Sequence, residues 1–374
     1  MKVGMPAIPP TIQIPDTPEA RPYDLAEAVG EFNLRLQHGE LAIYRPVPLG
    51  FPQLDAVLGG GLRSEDLVLV GGPQNVGKTL LILQAARNQA ASGEALPIVV
   101  CYEHSVETLL HRLICLESVA NPDDPAPIGV TRADIERTLL EYYDHPPTDA
   151  GRRGLQLDWI LSRLPGAERA WYRLREYLWR LWLVQGDGLD TTDYRLGEYV
   201  RMTRHEGFAR VVLYVDYAQR VPLRPVVGRG PLADSERIDL VMRGLKGIAL
   251  RHQVPVVAVA AADSAGLRQG RVHLEDLWGP STVQYEPDVA ILLNRDSLGD
   301  DGDIRCVRVS VEKNRNGPSE EEFRHRLHGA HFCLSRTGQP VGAGESFQAE
   351  RIKPQIVGDR ASPSLSMDDR EESA

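Results

Sequence analysis

The chain of 374 residues carries 52 acidic and 42 basic side chains, a formal net charge of −10. It contains no run of about 18 apolar residues, which excludes a predicted membrane-spanning helix. The acidic balance also argues against a protein that coats nucleic acid generally, because phosphate binding needs clustered lysine and arginine. A locally basic loop or channel remains compatible with this charge.

The termini and the cysteines predict a cytoplasmic protein. The first ten residues show no apolar segment of the kind found in secretory signals. No pair of cysteines has the spacing of a zinc site or a redox motif. A reducing compartment therefore fits best. The cysteines are Cys101, Cys115, Cys306 and Cys333.

Both ends of the chain are predicted to lie outside the folded core. Residues 1–22 are rich in proline and predict an extended arm. A helix is expected from Asp24 to about Gln37, within a segment 23–43, although Gly30 weakens the pattern. Residues 354–374 combine serine, proline and acidic side chains, which is typical of a disordered tail.

Between these ends, short apolar runs alternate with helical stretches. The runs are almost wholly apolar instead of alternating, which indicates strands buried on both faces of a parallel sheet. The predicted fold class is therefore α/β, with a mainly parallel central sheet flanked by helices. The predicted strands are Leu67–Val70, Ile98–Tyr102, Val211–Val215, Val254–Ala260, Val289–Leu293 and Cys306–Val311. The predicted helices are Thr79–Ala91, Val106–Val119, Asp193–Met202 and Ser235–His252.

A glycine-rich loop follows the first strand and opens the first helix. This context matches the pattern G-x-x-x-x-G-K-[ST], in which backbone N–H groups surround phosphate oxygens. Lys78 is then expected to reach the β- and γ-phosphates and the Thr79 hydroxyl to bind Mg²⁺. The alternative is a chance match in a glycine-rich turn, and ATP or GTP binding is the favoured interpretation. The loop reads Gly72, Pro73, Gln74, Asn75, Val76, Gly77, Lys78 and Thr79.

Two acidic residues follow other predicted strands. Asp216 ends the strand Val211–Val215, and we expect it to help hold Mg²⁺. Glu103 follows Ile98–Tyr102 and is a candidate general base that orients water. Acids are common at strand ends, so an ordinary turn remains the alternative for each.

Residues 121–190 form a long, proline-containing excursion, which we interpret as a helical insertion. Four of the five tryptophans fall here. Large aromatic side chains mostly serve packing, so a local satellite core is expected. A surface for a partner or for base stacking is the alternative. These tryptophans are Trp159, Trp171, Trp179 and Trp182.

Three motifs in order resemble the C-terminal ATPase domain of DnaB-type replicative helicases, which has a RecA-like fold. The resemblance covers about residues 44–335, within a predicted ATPase domain of 44–353. The motifs are an entry segment from Leu49 to Asp55 followed by Gly60, Gly61 and Leu62; Asp216, Tyr217 and Gln219; and the run Lys313, Asn314, Arg315, Asn316, Gly317 and Pro318.

This resemblance implies a ring, usually hexameric, that hydrolyses ATP between subunits on single-stranded DNA during replication. Glu103 would be the catalytic base, and Arg112 matches a family arginine near the nucleotide. Lys313 and Arg315 would reach into the neighbouring subunit's site and stabilise charge on the γ-phosphate. The segment Asp24–Gln37 corresponds in position to the family's linker helix.

Departures from the family pattern affect the predicted coupling to DNA. Ala261 stands where the family has a glutamine that senses the γ-phosphate, and alanine has no side-chain hydrogen-bonding group. Trp278 replaces an arginine in the DNA loop; it is expected either to stack on a base or to serve packing. Arg268 and Arg271 lie just upstream and are candidate phosphate contacts, or else solvated loop charges. Only about 40 residues precede the core, so the family's primase partnership is not expected.

Two functions therefore remain open. The first is an ATP-driven DNA helicase or translocase that forms a homo-oligomeric ring, with a replication partner or loader. The second is an ATPase switch or assembly factor with the same core, which hydrolyses ATP without moving along DNA. DNA-coupled hydrolysis distinguishes the two.

Overall fold

The computed structural model describes residues 22–145, 156–224, 232–263, 266–268, 270–296, 300 and 304–342. These form two compact units, divided between Ala42 and Ile43. Residues 1–21 of the predicted arm and the whole predicted tail at 354–374 lie outside the described residues.

The first unit contains helix α1, Leu25–His38. It begins where the Asp24 side chain accepts a hydrogen bond from the Glu27 backbone N–H at 2.8 Å. It ends at Gly39, whose left-handed φ of 70° suits glycine. The helix lies within the predicted segment 23–43. Its role as a linker stays a prediction.

The second unit is built on one large sheet with helices on both faces. In the described part of the chain, ten strands follow the order β10-β8-β7-β6-β1-β5-β4-β2-β3, with β9 paired to β8. The strands from β6 to β3 in this order are parallel, while β7 to β10 join by antiparallel pairing. The strands are β1 Leu67–Gly71, β2 Leu96–Cys101, β3 Trp182–Gln185, β4 Val211–Asp216, β5 Val256–Val259, β6 Val289–Arg295, β7 Arg305–Asn314, β8 Glu321–His328, β9 Cys333–Leu334 and β10 Gln339–Pro340.

The helices divide the buried side chains into two apolar clusters, one on each face of the sheet. Helices α3, α4, α6 and α7 contribute to one cluster, and α8 and α9 contribute to the other. The prediction of an α/β fold with a mainly parallel sheet is therefore confirmed. The helices of this unit are α2 Pro52–Val57, α3 Lys78–Ser92, α4 Val106–Ser118, α5 Arg132–Asp144, α6 Leu157–Arg163, α7 Ala167–Arg175, α8 Asp193–His205, α9 Asp234–His252 and α10 Thr282–Tyr285.

Two parts of the predicted layout need correction. Trp182 lies in β3, which pairs with β2 at the edge of the main sheet, so the excursion at 121–190 is not wholly helical. The strand predicted at Cys306–Val311 is longer and antiparallel, and β8 was missed. The physical reason is shared: β3 is short and half-exposed, and β8 is rich in charged and histidine side chains. Neither has the wholly apolar run that identified the central strands.

Strand order determines where functional residues meet. The strands β1, β5, β4 and β2 lie side by side and parallel, so their carboxyl ends share one edge of the sheet. Cys101 at the end of β2 pairs in register with Asp216 at the end of β4. The glycine-rich loop leaves β1 at this same edge.

Candidate functional site

The loop between β1 and α3 requires glycine at two positions. Gly72 has a φ of 141°, and an added Cβ would lie 2.1 Å from the Leu293 carbonyl oxygen. Gly77 has a φ of 102° immediately before the first residue of α3. Only glycine adopts these conformations without strain, and the loop backbone thereby reaches the helix N-terminus in the form that suits anion binding.

Lys78 folds its side chain back over this loop. Its Nζ donates hydrogen bonds to the carbonyl oxygens of Gly72 at 2.8 Å and Pro73 at 2.5 Å. Burial lowers the pKa of Lys78 to about 8, although the negative charges of Asp216 and Glu103 act in the opposite direction. The ammonium group therefore lies close to both acids that the sequence singled out.

Thr79 and Asp216 form the second part of the site. The Thr79 hydroxyl donates to Oδ2 of Asp216 at 2.8 Å, and the Cys101 thiol donates to the same oxygen at 3.6 Å. Asp216 is only 1% exposed, and burial raises its pKa. Its Oδ1 is buried without a hydrogen-bond partner among the residues that the structure describes. A carboxylate oxygen and a hydroxyl placed together are ligands that Mg²⁺ accepts, so these residues fit the predicted metal.

Glu103 lies exposed beside this pair, just before the N-terminus of α4. Its charge raises the pKa of Lys78 and of Asp216, in each case as a smaller effect than burial. A carboxylate that is near the loop and open to solvent has the position that a water-orienting base requires. The structure thus brings Glu103, Asp216, Lys78 and Thr79 together.

Arg112 approaches the same site from α4. Its Nη2 lies 2.9 Å from Nε2 of His104, and its guanidinium carbon lies 5.1 Å from the centroid of the Phe332 ring. Burial lowers the pKa of Arg112, while the charge of Asp216 acts against this. Burial, followed by the charge of Arg112, lowers the pKa of His104. Sequence reasoning missed His104, although its place directly after Glu103 was a usable signal.

Lys313 and Arg315 lie at the opposite edge of the sheet. Lys313 pairs with Ala290 near the start of β6, and the Arg315 backbone N–H donates to the Asp288 carbonyl at 2.9 Å. The loop instead approaches β6 at Leu293. At roughly 3.3 Å per residue, Asp288 and Leu293 lie about 16 Å apart along the strand. Neither cation is therefore placed to act on the phosphate loop of its own chain.

Comparisons with known proteins agree with this geometry. Residues 46–134 match the family model described as "DnaB-like helicase C terminal domain". This chain contains a DnaB-like helicase C-terminal ATPase domain.

Solved structures share the fold of this DnaB-like domain. A phage-type naming aside, one of them is described as an ATPase domain; it superposes with a TM-score of 0.61 at 19% identity, covering 84% of this chain and 99% of that chain. A second is a DnaB-like replicative helicase, which superposes with a TM-score of 0.59 at 18% identity, covering 86% of this chain and 68% of that chain. At these identities the likeness establishes the fold.

The DnaB-like domain also has distant curated relatives. It is similar to the replicative DNA helicase DnaB of Geobacillus stearothermophilus, at 23% identity over 290 residues, or 76% of this chain and 56% of the relative. It is similar, too, to the replicative DNA helicase DnaC of Bacillus subtilis (strain 168), at 23% identity over 296 residues with the same coverage of 76% and 56%. The chain therefore spans about half the length of the curated relatives that it matches.

In the described part of the DnaB-like domain, helices are too short or too polar to cross a membrane. All four cysteines are buried.

The predicted DNA loop is held by Gln219, which sequence reasoning placed only within a motif. Gln219 Nε2 donates to the Trp278 carbonyl oxygen at 3.1 Å, and its Oε1 accepts from the Ala261 backbone N–H at 3.4 Å. The Trp278 N–H donates to the Ala261 carbonyl at 2.9 Å. The Trp278 side chain remains 38% exposed. The residue at the position of the missing sensor glutamine is thus connected to Trp278 through backbone groups.

The two upstream arginines differ in position. Arg268 is exposed in a short 3₁₀ turn. Arg271 forms an ion pair with Glu322, and the two side chains are 11% and 1% exposed. This placement counts against the predicted phosphate contact of Arg271, because releasing it would leave a buried carboxylate unpaired.

The tryptophans of the excursion do not form one separate core. Trp171 packs against the larger apolar cluster, and Trp182 packs against the other. Trp159 contacts Tyr142, with ring centroids 5.1 Å apart. Trp179 is 78% exposed. The expectation of a satellite core therefore describes only part of this region.

Proposed function

We propose that the DnaB-like domain is the ATPase of a helicase or translocase that hydrolyses ATP at subunit interfaces of a ring on single-stranded DNA. The observation that carries this proposal is the separation of two half-sites. The phosphate loop with Glu103 lies at one edge of the sheet, and Arg315 lies at the other. A head-to-tail ring brings opposite edges of successive subunits together. The curated relatives, which are named replicative DNA helicases, support a cytoplasmic role in replication.

Each residue of the loop edge has a distinct role in this proposal. The loop from Gly72 to Gly77 and the ammonium of Lys78 bind the phosphates of ATP, which would replace the carbonyl partners of Lys78. Thr79 and Asp216 would hold Mg²⁺, which neutralises charge on the phosphates. Glu103 orients the attacking water, and Arg112 contributes positive charge beside the nucleotide.

The low pKa of Lys78 predicts a pH dependence of ATP affinity. Only the protonated ammonium attracts phosphate, and in the free protein it loses its proton as the pH rises through about 8. We expect the Kd for ATP to be nearly constant below pH 7 and to rise about tenfold by pH 9, since each pH unit above the pKa removes a factor of ten in the charged form. Isothermal titration at several pH values measures this dependence. The Lys78→Ala variant, whose residual binding lacks the titrating group, should show a flat profile, and a flat profile in the unsubstituted protein would contradict the prediction.

The geometry of the DNA loop supports coupling between the nucleotide and DNA. Gln219 lies three residues beyond Asp216 and is hydrogen-bonded to both Ala261 and Trp278. A shift at the end of β4 can therefore be transmitted to Trp278 without a side chain at position 261. Base stacking on an aromatic ring is worth roughly 1–3 kcal/mol.

The decisive experiment is the rate of ATP hydrolysis with and without single-stranded DNA, with Lys78→Ala as the blank. We expect DNA to stimulate turnover, and added salt to raise the DNA concentration needed for half-maximal stimulation. Trp278→Ala should raise that concentration about fivefold or more, from the loss of at least about 1 kcal/mol of stacking. Trp278→Phe should retain most of the effect. Trp179→Ala, which removes another exposed tryptophan, is the matched control.

A second function is favoured by the absent glutamine side chain at Ala261 and the buried position of Arg271. It is an ATPase switch or assembly factor that hydrolyses ATP without translocation. A hydrolysis rate that is unaffected by DNA, together with nucleotide-dependent oligomerisation, would support this function over the first.

A further inference from the structure

Arg315 is held by two groups that precede β6. Its Nη1 lies 3.1 Å from Oδ1 of Asp288, and its Nη2 donates to the Tyr285 carbonyl at 2.6 Å. Its backbone N–H donates to the Asp288 carbonyl. The side chain nevertheless remains 50% exposed. The guanidinium group is therefore fixed on one side, and the remaining N–H donors face outward.

Asp288 is itself anchored from two further directions. Its Oδ2 accepts a hydrogen bond from the Leu67 backbone N–H at 2.8 Å and from Nζ of Lys246 at 2.6 Å. Leu67 begins β1, and Lys246 belongs to α9. The Asp288 side chain is only 8% exposed. One buried carboxylate thus joins the first residue of the strand that leads to the phosphate loop with the arginine at the far edge.

We propose that Asp288 is a positioning residue for hydrolysis in the neighbouring subunit, because it holds Arg315 in the orientation that reaches the neighbour's γ-phosphate and connects it rigidly to β1. This inference rests on the proposed function. Asp288 does not touch the nucleotide, and it acts through Arg315. Lys313 is held on the same segment, since its Nζ donates to the carbonyls of Gln284 and Tyr285 at 2.8 and 2.9 Å.

The geometry explains why this carboxylate matters for turnover more than for binding. An arginine side chain has several rotatable bonds, and restricting them before the reaction lowers the entropy lost in the transition state. Without the carboxylate, the guanidinium group keeps its charge and its backbone position, yet loses one of its two side-chain partners. ATP still binds to the loop of the other subunit, which is unchanged.

The test compares Asp288→Asn with Asp66→Asn in the full chain. Asp66 is a matched control, because it is 8% exposed in the same cluster and its side chain accepts from Asn316 and not from Arg315. We expect Asp288→Asn to lower kcat for ATP at least tenfold and to change KM less than threefold. Asp66→Asn should keep kcat within threefold of the unsubstituted protein. A kcat for Asp288→Asn that equals that of Asp66→Asn would overturn the inference.

Mixing two inactive variants separates a positioning role from damage to the fold. Asp288→Asn subunits retain the phosphate loop, and Lys78→Ala subunits retain a correctly held Arg315. Mixed rings should therefore hydrolyse ATP faster than either variant alone, at the interfaces that combine the two intact halves. No gain on mixing, with both variants in rings, would contradict the role in trans.

Further variants keep the test decisive if Asp288→Asn folds poorly. The double variant Asp288→Asn/Lys246→Met leaves no unpaired ammonium in the cluster and should reproduce the loss of kcat. If Arg315→Ala lowers kcat and these Asp288 variants do not, the inference is wrong and the proposed function stands. If Arg315→Ala is also fully active, the proposed interface site is wrong.

Discussion

Arg315→Ala is expected to lower the rate of ATP hydrolysis by about 10³-fold or more, the range known for arginines that stabilise phosphoryl transfer from a neighbouring subunit. ATP affinity should change only slightly, because the phosphate loop of the same chain lies at the opposite edge of the sheet. Phosphate release measures hydrolysis, and equilibrium titration with a non-hydrolysed analogue measures binding. The large loss should therefore appear in kcat.

The matched control for this variant is Arg305→Ala. Arg305 is exposed at the start of the same strand, β7, whereas Arg315 follows the end of that strand. The control should retain full turnover. Normal hydrolysis by Arg315→Ala would show that the site is not completed by a second subunit.

Glu103→Gln is expected to retain ATP binding while hydrolysis falls by about 10²–10⁴-fold, the usual contribution of a general base. The amide keeps the shape of the side chain and removes the charge that orients water. Because the Glu103 charge raises the pKa of Lys78, the substitution should also shift the rise in Kd for ATP to lower pH. Steady-state turnover and the pH series of ATP binding measure the two effects.

Glu107→Gln is the control for the charge change. Glu107 is an exposed acid in the first turn of α4, four residues beyond Glu103. It should leave both turnover and the pH profile unchanged. If the two variants hydrolyse ATP equally well, Glu103 is not the base, and another group must orient the water.

These two substitutions divide the proposed reaction between subunits. Glu103 belongs to the subunit whose loop holds ATP, and Arg315 belongs to its neighbour. Mixed rings of the two variants should therefore regain part of the hydrolysis rate, because some interfaces combine an intact Glu103 with an intact Arg315. Two lesions in the same half-site would not show this recovery.

The local parts of this protein can be predicted from the order of its amino acids. The loop from Gly72 to Thr79 is recognisable because its constraints lie within a few residues: an apolar strand, glycines at left-handed positions and a helix that begins at Lys78. The wholly apolar central strands were likewise recognisable, since burial on both faces leaves a continuous pattern. Asp216 was identified for the same reason, as the carboxylate that ends such a strand.

Contacts between distant groups depend instead on the tertiary fold. The carboxylate of Asp288 binds the N–H of Leu67 across 221 residues of sequence, and no local pattern encodes that contact. The same holds for Arg271, whose pairing with Glu322 makes a loop arginine part of the interior. Strand order and register bring such groups together, because a sheet joins segments by backbone hydrogen bonds that carry little information about side chains far along the chain.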